Sequence, residues 1–148
     1  MIHEFSKKKK NVILFVEDEN GMKFGGFLKT KIDKKHNVKE SDNENMISDN
    51  NCFLFSFKNN RINKFELKEE YKDKNIFALF YKNDCRLFTF GNNEICIGKS
   101  NWNSRCLQNN NSFFDYKGIE DALNITNLNV RQGWVSIKKV FVAQMKKY

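Results

Sequence analysis

His3 and His36 are the only imidazoles in this chain, and neither stands at metal-ligand spacing from a cysteine or from the other. No CxxC and no HExxH occurs, so the common zinc patterns are missing, and isolated histidines of this kind read as surface residues. Serine hydrolase chemistry lacks its glycine-flanked nucleophile, the one serine near a glycine being Ser100 after Gly98-Lys99. Asp18-Glu19-Asn20-Gly21 begins like a calcium loop, but Met22 and Phe24 fall where oxygen ligands are needed. Phe24-Gly25-Gly26-Phe27 is no phosphate loop, since GxxxxGK[ST] is absent and the glycines interrupt a strand pattern. Glu66, Glu69 and Glu70 fit a hydrated strand edge and turn better than a glycosidase pair. Cys52, Cys85 and Cys96 lie in or beside apolar alternating segments, where a reduced thiol packs as a small apolar group. With Cys106 they make an even number, yet no secretory signal accompanies them and no resolving pair is spaced for redox turnover. The reading is therefore a non-enzyme with no catalytic residue, no metal and no cofactor.

The scaffold that would hold any site is built from short apolar runs. At 148 residues the chain fits one domain, and fifteen phenylalanines supply bulky core material. Its longest apolar runs, 12–16 and 76–80, are far too short to cross a bilayer, so no transmembrane segment is expected. Val12–Val16, the Asn20-Gly21 turn and the return segment Met22–Leu28 predict a hairpin, because asparagine and glycine accept the positive φ of a tight turn. Residues 33–51 read as a long polar loop. Phe53, Phe55 and Phe57 then share one face of a strand, with Cys52, Leu54 and Ser56 on the other. Lys64–Lys68 alternates as a half-exposed strand, and 76–81 is apolar on both faces, as a central strand is. Two further strands, 86–90 and 94–98, are separated by Gly91-Asn92-Asn93. Phe113, Phe114 and Tyr116 are expected to fold the irregular stretch 99–117 back onto the core, and a short helix is expected over 118–123. A last strand runs from Trp134 to Met145, with Lys138-Lys139 marking a bulge or a passage between layers. Together these predict a mainly β fold, a two-layer antiparallel sandwich with short peripheral helices.

Charge is unevenly spread over the chain's +8. Residues 1–40 carry ten lysines against six acids, and residues 129–148 carry Arg131, Lys138, Lys139, Lys146 and Lys147 with no acid. Such a field favours acidic partners, although a lysine-rich surface also simply keeps a protein soluble. Lys7, Lys8, Lys9, Lys10, Arg131, Lys138, Lys139, Lys146 and Lys147 are the expected binding set. The domain division that follows is a basic segment, 1–10, and one folded domain, 11–148.

Several segments in order resemble the TLDc family of oxidation-resistance and nuclear-receptor-coactivator-type proteins. These are the opening hairpin with Phe24-Gly25-Gly26-Phe27, then Phe53-Leu54-Phe55-Ser56-Phe57, Lys64-Phe65, Ile76–Tyr81, Phe90-Gly91-Asn92-Asn93-Glu94-Ile95-Cys96-Ile97, and the closing Val135–Val142. The chain departs from the family's pattern where Asn92 and Asn93 replace two of three glycines, where Lys138 and Lys139 replace acids, and in having little of the region before the first hairpin. The resemblance implies structural roles for Gly25, Gly26, Phe53, Phe55, Phe57 and Gly91. It also implies a protein-interaction or adaptor module linked to oxidative-stress responses, with the vacuolar proton pump as a partner some members bind. The alternative is a basic nucleic-acid-binding, DNA-regulatory protein, supported by the terminal lysines with Trp102, Trp134 or Tyr116 as stacking residues. Either role is expected in the cytoplasm or nucleus.

Overall fold

The structure is a computed structural model that describes residues 10–32, 44–58, 60–80, 85–99, 104–109, 111–123 and 134–145. Alternation of apolar residues becomes alternation of burial. In β1 (Val12–Asp18), Val12, Leu14, Val16 and Asp18 are buried while the residues between them are half-exposed. The turn into β2 (Lys23–Leu28) uses Gly21 at φ 81°, and Asp18 Oδ1 accepts the Asn20 and Met22 amides, both at 2.8 Å. The predicted hairpin is therefore present, and the carboxylate that opened a false calcium loop is spent on its turn.

Eleven strands follow one another along the described chain. After β2 come β3 (Glu44–Ser48), β4 (Phe53–Lys58), β5 (Arg61–Glu66), β6 (Asn75–Phe80) and β7 (Arg86–Phe90). They are followed by β8 (Ile95–Gly98), β9 (Ser104–Cys106), β10 (Trp134–Val135) and β11 (Ile137–Gln144). They form two antiparallel sheets, β11-β1-β2-β4-β5 and β10-β9-β8-β7-β6-β3. The core lies where Leu14, Phe24, Leu54 and Phe65 of the first sheet meet Phe77, Phe88, Phe90 and Ile95 of the second. Gly26 is what lets the layers close: a Cβ there would collide with the Phe90 ring, so that ring rests on bare backbone.

Three expectations change. The polar loop 33–51 contains a strand, because β3 pairs with β6 at the sheet's edge, where only one face needs an apolar residue and Ile47 supplies it. The helix over 118–123 is a run of turns: Lys117, Gly118 and Asp121 have φ of 56°, 72° and 49°, values a right-handed helix does not admit. The Ser56 hydroxyl donating to the Ala122 carbonyl, and Gln108 accepting the Ala122 amide at 2.9 Å, hold that segment in place of helical bonds. Among the described residues the one helical piece is the 3-10 turn Glu69–Tyr71. Cys85 is exposed rather than buried, since it precedes the first residue of β7. The single last strand expected over 134–145 is divided at Ser136, β10 joining one sheet and β11 the other. Of the two outcomes its lysine pair predicts, the bulge is the one found there, a register shift at Glu17/Asp18 making Lys138 the extra residue. Phe114 and Tyr116 are buried as expected, but the stretch 99–117 read as irregular also holds β9, which pairs with β8 and β10.

Candidate interaction surface

Buried polar groups are the usual place to look for chemistry, and here the buried carboxylates of Glu94 and Asp49 are held chiefly by backbone amides. Glu94 is 1% exposed; Oε1 accepts the Phe114 amide at 3.0 Å and the Tyr116 hydroxyl at 2.8 Å, and Oε2 accepts the Asn92 and Phe113 amides at 3.0 Å. Burial pushes its carboxyl above the usual range, and these four donors pull it part of the way back. Gly91, at φ 61°, is the seat of this clamp, because a Cβ would strike Glu94 Oε2. Asp49 likewise accepts the Lys29 amide at 2.6 Å, the Thr30 amide at 3.0 Å and the Asn51 amide at 2.9 Å. The clamp role of Glu94 escaped the sequence reading; its one trace is a lone acid directly before the apolar Ile95-Cys96-Ile97.

Nucleophiles fare no better. Burial drives the Cys52 thiol far up, with the Asp49 and Glu94 charges adding to it, and burial does the same to Cys106. Such thiols hold almost no thiolate at neutral pH. No group of three His, Cys, Asp or Glu among the described residues could hold a metal ion. His3 and His36 lie outside the described residues. A cavity of about 260 Å³ beside Cys52, Lys64 and Lys72 is open and polar, but its lysines already pair with Glu66 at 3.6 Å and Glu69 at 2.8 Å.

The outer face of the five-stranded sheet is different. Strand register aligns Phe141, Phe15, Gly25, Phe55 and Lys64 in one row across it. The next row holds Ala143, Ile13, Phe27, Phe53 and Glu66. Phe15 packs against Phe55, Phe57 and Phe141 with centroids at 6.0, 6.0 and 6.1 Å, and Phe27 stacks on Phe53 at 4.9 Å. Gly25 lets the rings close up, because a Cβ there would lie 2.9 Å from Phe55 Cζ and collide with the Leu14 carbonyl. Phe55 is nearly covered by its neighbours, yet Phe57, Phe141 and Ile62 are 37%, 50% and 67% exposed. These exposed apolar side chains adjoin one another on the outer sheet face rather than standing singly, as surface apolar residues ordinarily do.

A TLDc domain profile matches residues 1–128, most of the 148. The chain belongs to the TLDc family. Among curated proteins nothing matches it. The family match ends before β10 and β11, so β11, which supplies Phe141 to the aromatic band, lies beyond it.

In this TLDc chain the structure divides the predicted sites. Gly25, Gly26 and Gly91 sit at close approaches, while Phe53, Phe55 and Phe57 line the outer face and Cys52, Leu54 and Ser56 face the core. Lys138 and Lys139 fall together at one end of β11, Lys138 Nζ lying 3.7 Å from Glu17. Lys10 is at the opposite end, where its carbonyl accepts from Gln144. Strand rise separates it from Lys139 by roughly 20 Å. Lys7, Lys8, Lys9, Arg131, Lys146 and Lys147 lie outside the described residues. A lysine the sequence reading did not single out joins Lys139 instead: Lys23 pairs with Glu17 from the other side, so lysines flank one carboxylate in a single row.

Proposed function

We propose that this chain is a non-enzymatic TLDc interaction domain, acting through protein contact in the oxidative-stress setting its family resemblance implies. The observation that carries the reading is the exposed phenylalanine band on the outer sheet face, alongside buried carboxylates that are already saturated by backbone donors. Burial also keeps Cys52 and Cys106 protonated, which disfavours thiol chemistry there. On this reading residues 11–148 fold as one unit behind the basic segment 1–10, in the cytoplasm or nucleus, and the vacuolar proton pump is the first partner to try. No helix among the described residues is long and apolar enough to cross a membrane.

The test has two arms. Peroxide consumption with a thiol reductant should show no multiple turnover, and turnover abolished by a single Cys→Ser change would overturn the non-enzymatic reading. Co-sedimentation with purified pump should retain the protein, and loss of it would remove that partner. A second reading, nucleic-acid binding, draws on Lys23, Lys138 and Lys139 beside the aromatic band. On the interaction-domain reading, any such association is weak, salt-sensitive and without sequence preference. A preference of about 1000-fold or more for one duplex over a scrambled one at physiological salt would put it first.

A further inference from the structure

We propose that the outer face of β11-β1-β2-β4-β5 is a docking surface for an acidic amphipathic protein segment, one whose apolar side chains lie on the phenylalanine band and whose carboxylates meet the lysines at its end. The inference rests on the interaction-domain reading and names the surface and the partner's chemistry. The apolar part is supplied by Phe141, Phe57 and Ile62, the most exposed members of the band. The charged part is supplied by the row Lys139–Glu17–Lys23 together with Lys138 at the bulge, three lysines around one carboxylate. An aromatic centre bordered by cationic groups is the pattern that gives a segment affinity from its apolar anchors and register from its charges.

Other occupants fit less well. A second copy would set one chain of net charge +8 against another, which like-charge repulsion disfavours. Single-stranded nucleic acid needs flat ring faces open for base stacking. Here Phe27 and Phe53 stack on each other, Lys64 Nζ sits 4.4 Å over the Phe53 ring, and Phe15 is in contact with three other rings. Among the described residues the other sheet offers no such band: on its outward side Ala78, Phe80 and Cys96 are already covered, and Met46 stands exposed by itself.

Three matched sets of immobilised peptides of about five helical turns test this. The first places Leu and Phe at i, i+3 or i+4, and i+7 with Asp and Glu beside them; the second swaps the acids for Lys; the third keeps the acids and replaces Leu and Phe by Ser. The full chain should bind the first set at least about tenfold more tightly than either of the others. That binding should fall about tenfold or more in Phe57→Ser with Phe141→Ser, and separately in Lys23→Glu with Lys139→Glu. Those side chains are exposed, so unchanged thermal unfolding of each variant confirms that the loss is one of contact. Retention of the basic set, binding indifferent to both variant pairs, or binding of no set overturns the proposal. So does tighter binding to oligo(dT), to vesicles of equal parts phosphatidylcholine and phosphatidylserine, or to a second copy as a dimer that Phe141→Ser disperses. Peptide binding that ignores both variant pairs would move the contact elsewhere and leave the interaction-domain reading intact, which falls separately if peroxide turnover is found.

Discussion

Gly26 lies on the inner side of β2 beneath the Phe90 ring of the opposite sheet, and Gly26→Ala measures how tightly the layers are locked there. The added Cβ would collide with ring atom Cζ and lie 2.7 and 2.8 Å from Cε1 and Cε2. The ring cannot step aside, since Phe77 and Phe88 pack against it with centroids at 4.9 and 5.9 Å and all three are essentially fully buried. Overpacking of this kind costs about 1–3 kcal/mol, and three contacts inside van der Waals distance place it at the upper end. Replacing a strand glycine by alanine otherwise stabilises by about 0.5–1 kcal/mol through the unfolded chain. The steric term wins, leaving a net loss of about 2 kcal/mol, read as a lower urea midpoint with unchanged slope and a fall in Tm of roughly 4–8 °C. The decisive arm is Phe90→Leu, which shortens the obstructing side chain. In that background Gly26→Ala should cost at least about 1 kcal/mol less, the coupling expected of residues in contact. An equal cost in both backgrounds would refute the close approach, and a neutral or stabilising Gly26→Ala would refute the steric argument altogether.

Glu94→Ala should be the most damaging surface-remote substitution, at about 3–5 kcal/mol, because the buried donors of Phe114 and Tyr116 and the part-buried amides of Asn92 and Phe113 lose their acceptor; urea unfolding measures it, and a loss under about 1 kcal/mol would show the clamp to be dispensable. Since burial raises the Glu94 carboxyl in the fold, its titration contributes stability that is fully present below its ordinary value of about 4.5 and is lost as pH rises through the raised one. The stability difference between wild type and Glu94→Gln should therefore shrink with rising pH over that window, and growth instead would mean that the four donors outweigh burial. Ellman's reagent on the native protein should find one fast thiol, Cys85, with Cys52, Cys96 and Cys106 slow behind their burial; a fast phase surviving in Cys85→Ser would contradict this. Ser56→Ala should cost about 1–3 kcal/mol by stripping the Ala122 carbonyl of its buried donor, and hydrogen exchange should rise in 118–123 as that turn loosens.

Local chemistry in the sequence was enough to set most of the strands, though not β3 or β9, and to show that the familiar catalytic motifs are missing. The period of two in Val12–Asp18 and Phe53–Lys58, and the positive φ that Asn20-Gly21 accepts, are properties of adjacent residues and need no partner to be read. Which face of β4 turns inward is not such a property, since Phe53, Phe55 and Phe57 are at least as apolar as Cys52, Leu54 and Ser56. Tertiary packing decided it: Gly26, the cross-strand partner of buried Leu54, receives the Phe90 ring, and Ser56 finds the Ala122 carbonyl, so the larger rings were left outside to pack on one another. The same holds for charge. The sequence leaves open whether Lys10 and Lys138-Lys139 share one surface; antiparallel pairing of β1 with β11 sends Lys10 to the far end of the sheet and brings Lys23 to Glu17 instead. Period and turn chemistry act over a few residues, whereas a surface is assembled from strands far apart in the chain, and its composition depends on which register buries the core.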